Sequence, residues 1–103
     1  MEKRQESDVV MSEKEIIRQH LKITGRVQGV GFRYRAKYAA ANLGVTGWVK
    51  NEWDGSVEME VQGTLEQINQ LLKMLNGSRF IYIDWIERKE IPTEAHENGF
   101  HVR

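Results

Sequence analysis

Gly25-Arg26-Val27-Gln28-Gly29-Val30-Gly31-Phe32-Arg33 is the stretch on which the reading of the chain turns. Before it, Leu21-Lys22-Ile23-Thr24 reads as the end of a strand, and after it Tyr34 to Leu43 reads as a helix. The segment between is then a strand-to-helix turn. Three glycines in seven residues let the backbone bend tightly and aim successive N–H groups at one point. The first turn of the helix adds its own unpaired N–H groups and the positive end of its dipole. Together these make a cradle for an anion, with phosphate the usual guest. Arg33 stands at its mouth with a planar guanidinium able to grip two phosphate oxygens. From spacing alone the same turn reads equally well as a tight corner with a solvated arginine. The dinucleotide pattern is absent, because Tyr34 stands where its third glycine belongs, and no Gly-Lys-Ser/Thr follows to make a nucleotide P-loop.

Working outward toward the amino end, Ile17, Leu21 and Ile23 fall on one alternating face and predict a strand from about Ile16 to Thr24. Residues 1–14 are mostly polar and read as a disordered tail, with 15–103 as the folded domain. A rival for the tail is a short helix opened by the capping box Ser12-Glu13-Lys14-Glu15. Toward the carboxyl end, Phe32, Ala36, Ala39, Ala40 and Leu43 recur at helical spacing, and Gly44 reads as a left-handed cap. Val45 to Glu52 and Ser56 to Gln62 read as strands joined by a hairpin turn at Trp53-Asp54-Gly55. In the second of these, Val57, Met59 and Val61 point to the core, while Ser56, Glu58, Glu60 and Gln62 face away. Thr64-Leu65-Glu66-Gln67 is a capping box for a second helix, whose stripe is Leu65, Ile68, Leu72 and Leu75 and whose close is Asn76-Gly77. Phe80 to Ile91 is a long β-rich run, Pro92 interrupts it, residues 94–99 form a loop, and Phe100-His101-Val102 is a short last strand.

The order is therefore β-α-β-β-α-β plus a short strand. Right-handed crossovers in both β-α-β units, with the hairpin between them, interleave the strands as 4-1-3-2 and put both helices on one face. This is an α+β, ferredoxin-like sandwich with an antiparallel sheet. In it, the first and second strands run in the same direction and end at the same edge. The glycine loop follows the first, Asn51 ends the second, and the third strand separates them, so their backbones lie roughly 10 Å apart. Arg33 and Asn51 can span that gap with a phosphate and a water between them.

Composition narrows the class. At 103 residues the chain is one small domain. Fifteen basic and fifteen acidic residues cancel, which removes any general pull toward nucleic acid or anionic lipid and leaves anion binding to a local site. There is no cysteine, so no disulfide, thiolate zinc site or cysteine nucleophile. No apolar run approaches a membrane span, and the amino end lacks the apolar centre of a signal peptide. The expectation is a cytoplasmic monomer without a membrane or nucleic-acid partner. His20, His96 and His101 are scattered, without metal-ligand spacing, so no metal and no cofactor are expected.

Gly25 to Arg33 resembles the signature of the acylphosphatases, and Gly47-Trp48-Val49-Lys50-Asn51 followed by Asp54-Gly55-Ser56-Val57-Glu58 resembles their second motif at the matching separation. The resemblance runs from about Leu21 to Arg103. It implies hydrolysis of acyl phosphates, the mixed anhydrides of a carboxylic acid and phosphate, without a metal. It also implies that Arg33 binds phosphate, that Asn51 orients the attacking water, and that the backbone N–H groups of Gln28, Gly29, Val30, Gly31 and Phe32 form the phosphate loop. Such a substrate is already activated and its carboxylate leaves readily, so positioning and charge stabilisation can supply most of the catalysis. Neither motif holds a titratable base, so turnover is expected to be nearly flat between mildly acidic and neutral pH.

The chain departs from the family pattern at Glu52, an acid where a small polar residue is common, and at Gly77-Ser78-Arg79, which lacks the proline often found after that glycine. On a strand Glu52 should face away from Asn51. Trp48 and Trp53 could shape an acyl pocket, or serve as a structural residue and an exposed turn residue. Two other function classes share the fold. RNA-recognition domains place aromatics on the third strand, where this chain has Glu58 and Glu60, residues that read as a solvated or edge surface. A non-catalytic module binding a small anion, phosphate or carbamoyl phosphate, would use the same cradle and is the alternative reading. An acylphosphatase-like module also occurs at the amino end of a hydrogenase-maturation carbamoyltransferase, alongside cysteine-rich zinc motifs that this sequence lacks.

Overall fold

In a computed structural model of the chain, residues 14–103 are described. The readings of a tail over 1–14 and of a capping box at Ser12 lie, apart from Lys14 and Glu15, outside the described residues. The elements are β1 (Ile16–Arg26), α1 (Phe32–Leu43), β2 (Thr46–Asn51), β3 (Val57–Thr64), α2 (Leu65–Asn76), β4 (Tyr82–Ile91) and β5 (Phe100–Val102). The sheet order is β4-β1-β3-β2-β5, the expected 4-1-3-2 arrangement extended by one strand. β1 pairs antiparallel with both β3 and β4, and β2 antiparallel with β3. β5 adds to the free edge of β2 in parallel, with Gly47 opposite Phe100 and Val49 opposite Val102.

The alternation expected of the strands is what makes the core. Leu21 and Ile23 of β1, Val49 of β2 and Val57, Met59 and Val61 of β3 are fully buried. Against them pack Phe32, Ala36, Ala39 and Ala40 of α1, whose small residues bring that helix close to the sheet, and Ile68, Leu71 and Leu75 of α2. Each large aliphatic side chain so buried contributes roughly 1.5–3 kcal/mol. Leu71 holds the buried place expected of Leu65, which is 42% exposed at the first turn of α2. Gly44 ends α1 in the left-handed conformation, whereas Gly77 ends α2 in the right-handed one. Among the described residues no helix is long and apolar enough to cross a membrane.

The outer face of the sheet differs from the sequence expectation. β3 is a central strand, so its acidic stripe is flanked on both sides and meets polar partners from β1. Arg18, 2% exposed, donates from Nε to Glu60 at 2.9 Å and from Nη1 and Nη2 to Glu97 at 2.7 and 3.0 Å. His20 Nε2 lies 2.7 Å from Glu58 Oε2. Gln62 exchanges hydrogen bonds with the main chain of Glu94 and accepts another from Arg18. Glu58 and Glu60 are therefore paired residues on the middle of a face, not a solvated edge. Ser56 is buried and not outward-facing: β3 begins only at Val57, so strand alternation does not govern Ser56, whose hydroxyl and N–H both donate to Asp54 Oδ1 in the turn, at 2.6 and 3.0 Å.

Candidate active site

Both motifs arrive at one corner of the sheet. In register, Ile23 of β1 and Asn51 of β2 each face Val57, the first residue of β3, from opposite sides. Val57 and Ile23 belong to the buried face, and directly opposed residues share a face, so Asn51 lies on the side of the sheet that carries the helices. The loop between β1 and α1 leaves from the same corner. Val27 is buried in the core and Val30 packs against it, which anchors the loop at two points and leaves Gly29 and Gly31 at the surface.

Gly29 (φ 74°) and Gly31 (φ 79°) both occupy the left-handed region, and a Cβ on either would point into open space. A strained side chain is thus excluded from the hollow side of the loop. Gly31 is also the N-cap of α1, and it offers no side chain to bond the first-turn N–H groups; no acidic residue stands in that turn. The positive end of α1 is left uncapped, in contrast to α2, where Thr64 and Gln67 form the predicted capping box with bonds of 3.1 and 2.8 Å.

Arg33 sits in the first turn of α1, half-buried. Its Nη1 donates to the main-chain oxygen of Arg103 at 2.9 Å, while Arg103 N donates to Val49 O at 2.8 Å. These bonds tie the guanidinium to the strand that ends in Asn51. The Oδ1 of Asn51 is buried and accepts no hydrogen bond from the described residues. Buried side-chain acceptors are normally satisfied, so this atom marks a place where a donor fits.

The remaining site residues fall as follows. Gln28 is in the loop, but its carboxamide turns to the hairpin and donates to the main-chain oxygens of Glu52 and Ser56. Glu52 faces away from Asn51, as strand alternation predicts, and its carboxylate lies 3.9 Å from Lys50 Nζ. The neighbouring Glu58 carboxylate, burial and Asp54 hold Glu52 above the usual carboxylate range against the opposing pull of Lys50. Glu58 itself is held below that range, first by His20 and then by Glu52. Trp48 lies on the outer face, opposite Glu60 in register, with the Arg103 guanidinium stacked 4.4 Å above its ring; it does not flank Asn51. Trp53 is a fully exposed residue of the hairpin turn. Sequence reasoning missed the Gln28 side-chain bonds and the role of β5 in holding Arg33, because both depend on which segments the sheet brings together.

A model of the acylphosphatase family matches residues 19–102. The chain belongs to the acylphosphatase family. An acylphosphatase of Bacillus pumilus is 39% identical over 89 residues, 85% of this chain and 99% of that one. Among solved structures, an acylphosphatase from Coxiella burnetii is 35% identical with a TM-score of 0.78, covering 88% of this chain and 96% of its own. The crystal structure of T. kodakarensis HypF also matches, at 32% identity and a TM-score of 0.73, over 84% of this chain and 12% of that larger protein. The acylphosphatase neighbours share the overall fold described above.

Proposed function

We propose that Arg33, Asn51 and the backbone N–H groups of residues 28–33 carry out the hydrolysis of an acyl phosphate. The enzyme is an acylphosphatase: it splits a carboxylic–phosphoric mixed anhydride into carboxylate and inorganic phosphate. The phosphoryl group sits in the loop cradle at the uncapped end of α1, and Arg33 supplies charge-assisted donors to its oxygens. Asn51 accepts a hydrogen bond from the attacking water through Oδ1 and directs its NH₂ toward the phosphoryl group. The water oxygen bonds to phosphorus, the bond from phosphorus to the acyl oxygen breaks with its electron pair leaving on the carboxylate, and the water's protons stay with the phosphate product or pass to solvent. The leaving group needs no acid, so the site needs donors and geometry more than a base.

The observation that carries this assignment is Asn51 Oδ1, a buried acceptor without a donor among the described residues, on the helix side of the strand end beside the cradle. The test separates water placement from phosphate binding. Asn51→Ala should leave inhibition by inorganic phosphate within a few-fold while turnover of a model acyl phosphate falls by roughly 10² or more. Equal loss in both would make Asn51 a binding ligand, and no loss in either would remove it from the site.

The reading of a monomer is supported by the edge strand β4, whose exposed Glu87, Arg88, Lys89 and Glu90 and the following Pro92 discourage pairing with a second sheet. Sedimentation of the purified protein checks it. The cysteine-free sequence supports a cytoplasmic site of action, which fractionation of producing cells checks.

A further inference from the structure

The Gln28 side chain makes bonds that a loop residue has no local reason to make. Its Nε2 lies 2.6 Å from Glu52 O and 2.8 Å from Ser56 O, so both hydrogens of the carboxamide are engaged. The two acceptors belong to a turn that is itself closed. Glu52 N donates to Ser56 O at 2.8 Å and Gly55 N to Glu52 O at 3.2 Å. Asp54 holds Ser56 by both its hydroxyl and its N–H. One end of the bridge is therefore the glycine loop, and the other is the rigid hairpin end next to Asn51. β3 stands between β1 and β2, so no ladder bond joins the strand that leads into the loop to the strand that ends in Asn51. Gln28 spans that gap directly.

We infer that Gln28 is a positioning residue, whose carboxamide fixes the separation between the phosphate cradle and Asn51. The inference rests on the roles given above to the cradle and to Asn51. In-line attack requires the phosphoryl group and the water at a set distance, and a misplacement on the order of 1 Å costs about 10² in rate. Phosphate affinity depends on the loop amides and Arg33, and a change of the Gln28 side chain leaves its own backbone N–H in place. Loss of the bridge therefore falls on turnover and spares phosphate binding.

Two variants test this, each first compared with the parent by thermal melting and assayed at a temperature where it is folded. Gln28→Ala removes both bonds. Its kcat for acetyl phosphate is expected to fall by roughly 10-fold to 10²-fold, with the inhibition constant for inorganic phosphate within about three-fold of the parent. Gln28→Glu keeps the shape but sets a carboxylate against two carbonyl oxygens. It should lose as much at pH about 7 and recover in part toward pH about 5, because a neutral carboxyl donates one hydrogen bond and a carboxylate donates none. Glu52, Asp54, Glu58, His20, Lys22 and Lys50 surround the turn, so the parent's profile is measured alongside and divided out. In an Asn51→Ala background, Gln28→Ala should cost less than about three-fold more, since nothing remains to be positioned. The inference is overturned by any of three results. These are a kcat within about two-fold of the parent in both single variants, a Gln28→Ala loss that recurs in full on top of Asn51→Ala, and a phosphate affinity that falls in step with kcat. If Gln28→Ala does not fold, the acid recovery of Gln28→Glu decides alone: recovery supports the bridge, and a profile parallel to the parent's rejects it. Failure of the underlying assignment looks different, because Asn51→Ala would then retain full turnover whatever Gln28 does.

Discussion

A guanidinium carries five N–H donors, and in Arg33 one of them is taken by the main-chain oxygen of Arg103. Among the described residues the others find no hydrogen-bond partner, so the group is oriented by one bond, and in the proposed mechanism the rest serve the phosphoryl group. Arg33→Ala should accordingly lower turnover by roughly 10²–10³ or more, in line with removal of one preorganised donor. The half-buried position outside the core leaves the fold intact. Steady-state kinetics on the folded variant check this, and near-normal values would remove Arg33 from the site. The sequence showed this residue and Asn51 plainly, since each sits at a fixed place in a motif. The target of the Gln28 carboxamide was not legible, because its acceptors are main-chain oxygens and their residue names carry no sign of it.

The two helices are treated differently at their starts. α2 is capped by its own Thr64 and Gln67, while α1 begins at Gly31 with its first-turn N–H groups unclaimed by a side chain. Filling that end should help the helix and harm the site. Tyr34, 57% exposed in the first turn, is the place to try it. Tyr34→Glu puts a negative charge by the positive end of α1 and is expected to raise stability by about 0.3–1 kcal/mol while weakening inhibition by phosphate several-fold. Thermal melts and inhibition assays on one preparation measure both, and a variant unchanged in both would mean that the cradle does not feel the helix end. At this scale the sequence spoke clearly where a local signal existed: the Thr64 box, the Asp54-Gly55 turn, the Gly44 cap. It failed where the signal was shared. Leu65 and Leu71 both fit a helical stripe, and only packing decides which is buried. The partner of β5 could not be read from three residues, because any free sheet edge would accept them.

Across the whole molecule, the outer face is held by a buried charge network that a local reading cannot anticipate. An arginine within an alternating strand reads as solvent-facing, yet Arg18 is enclosed by Glu60 and Glu97, partners 42 and 79 positions away. Arg18→Ala leaves both carboxylates without their cation and should cost about 3 kcal/mol, the lower end for a broken buried pair, since both glutamates keep some exposure. Chemical denaturation measures this. The same face sets the acid limit of the fold. Glu58 is held below its usual range by His20, and Glu97, though burial pushes it up, is brought below it by Arg18. Each stabilises the fold above the ordinary glutamate value of about 4.3 and loses that contribution as the pH falls through its lower, folded value. The loss of these two contributions should lower the unfolding free energy below about pH 4.5, with a smaller decline in Glu58→Gln. The sheet order has one further consequence, for synthesis. β1 lies in the interior of the sheet but is the earliest strand of the described residues, and its neighbour β4 ends only at Ile91. Until that residue has left the ribosome, the apolar Leu21 and Ile23 belong to a strand with an unpaired side, so the fold cannot close before it emerges, and the nascent domain is most open to aggregation just before it does.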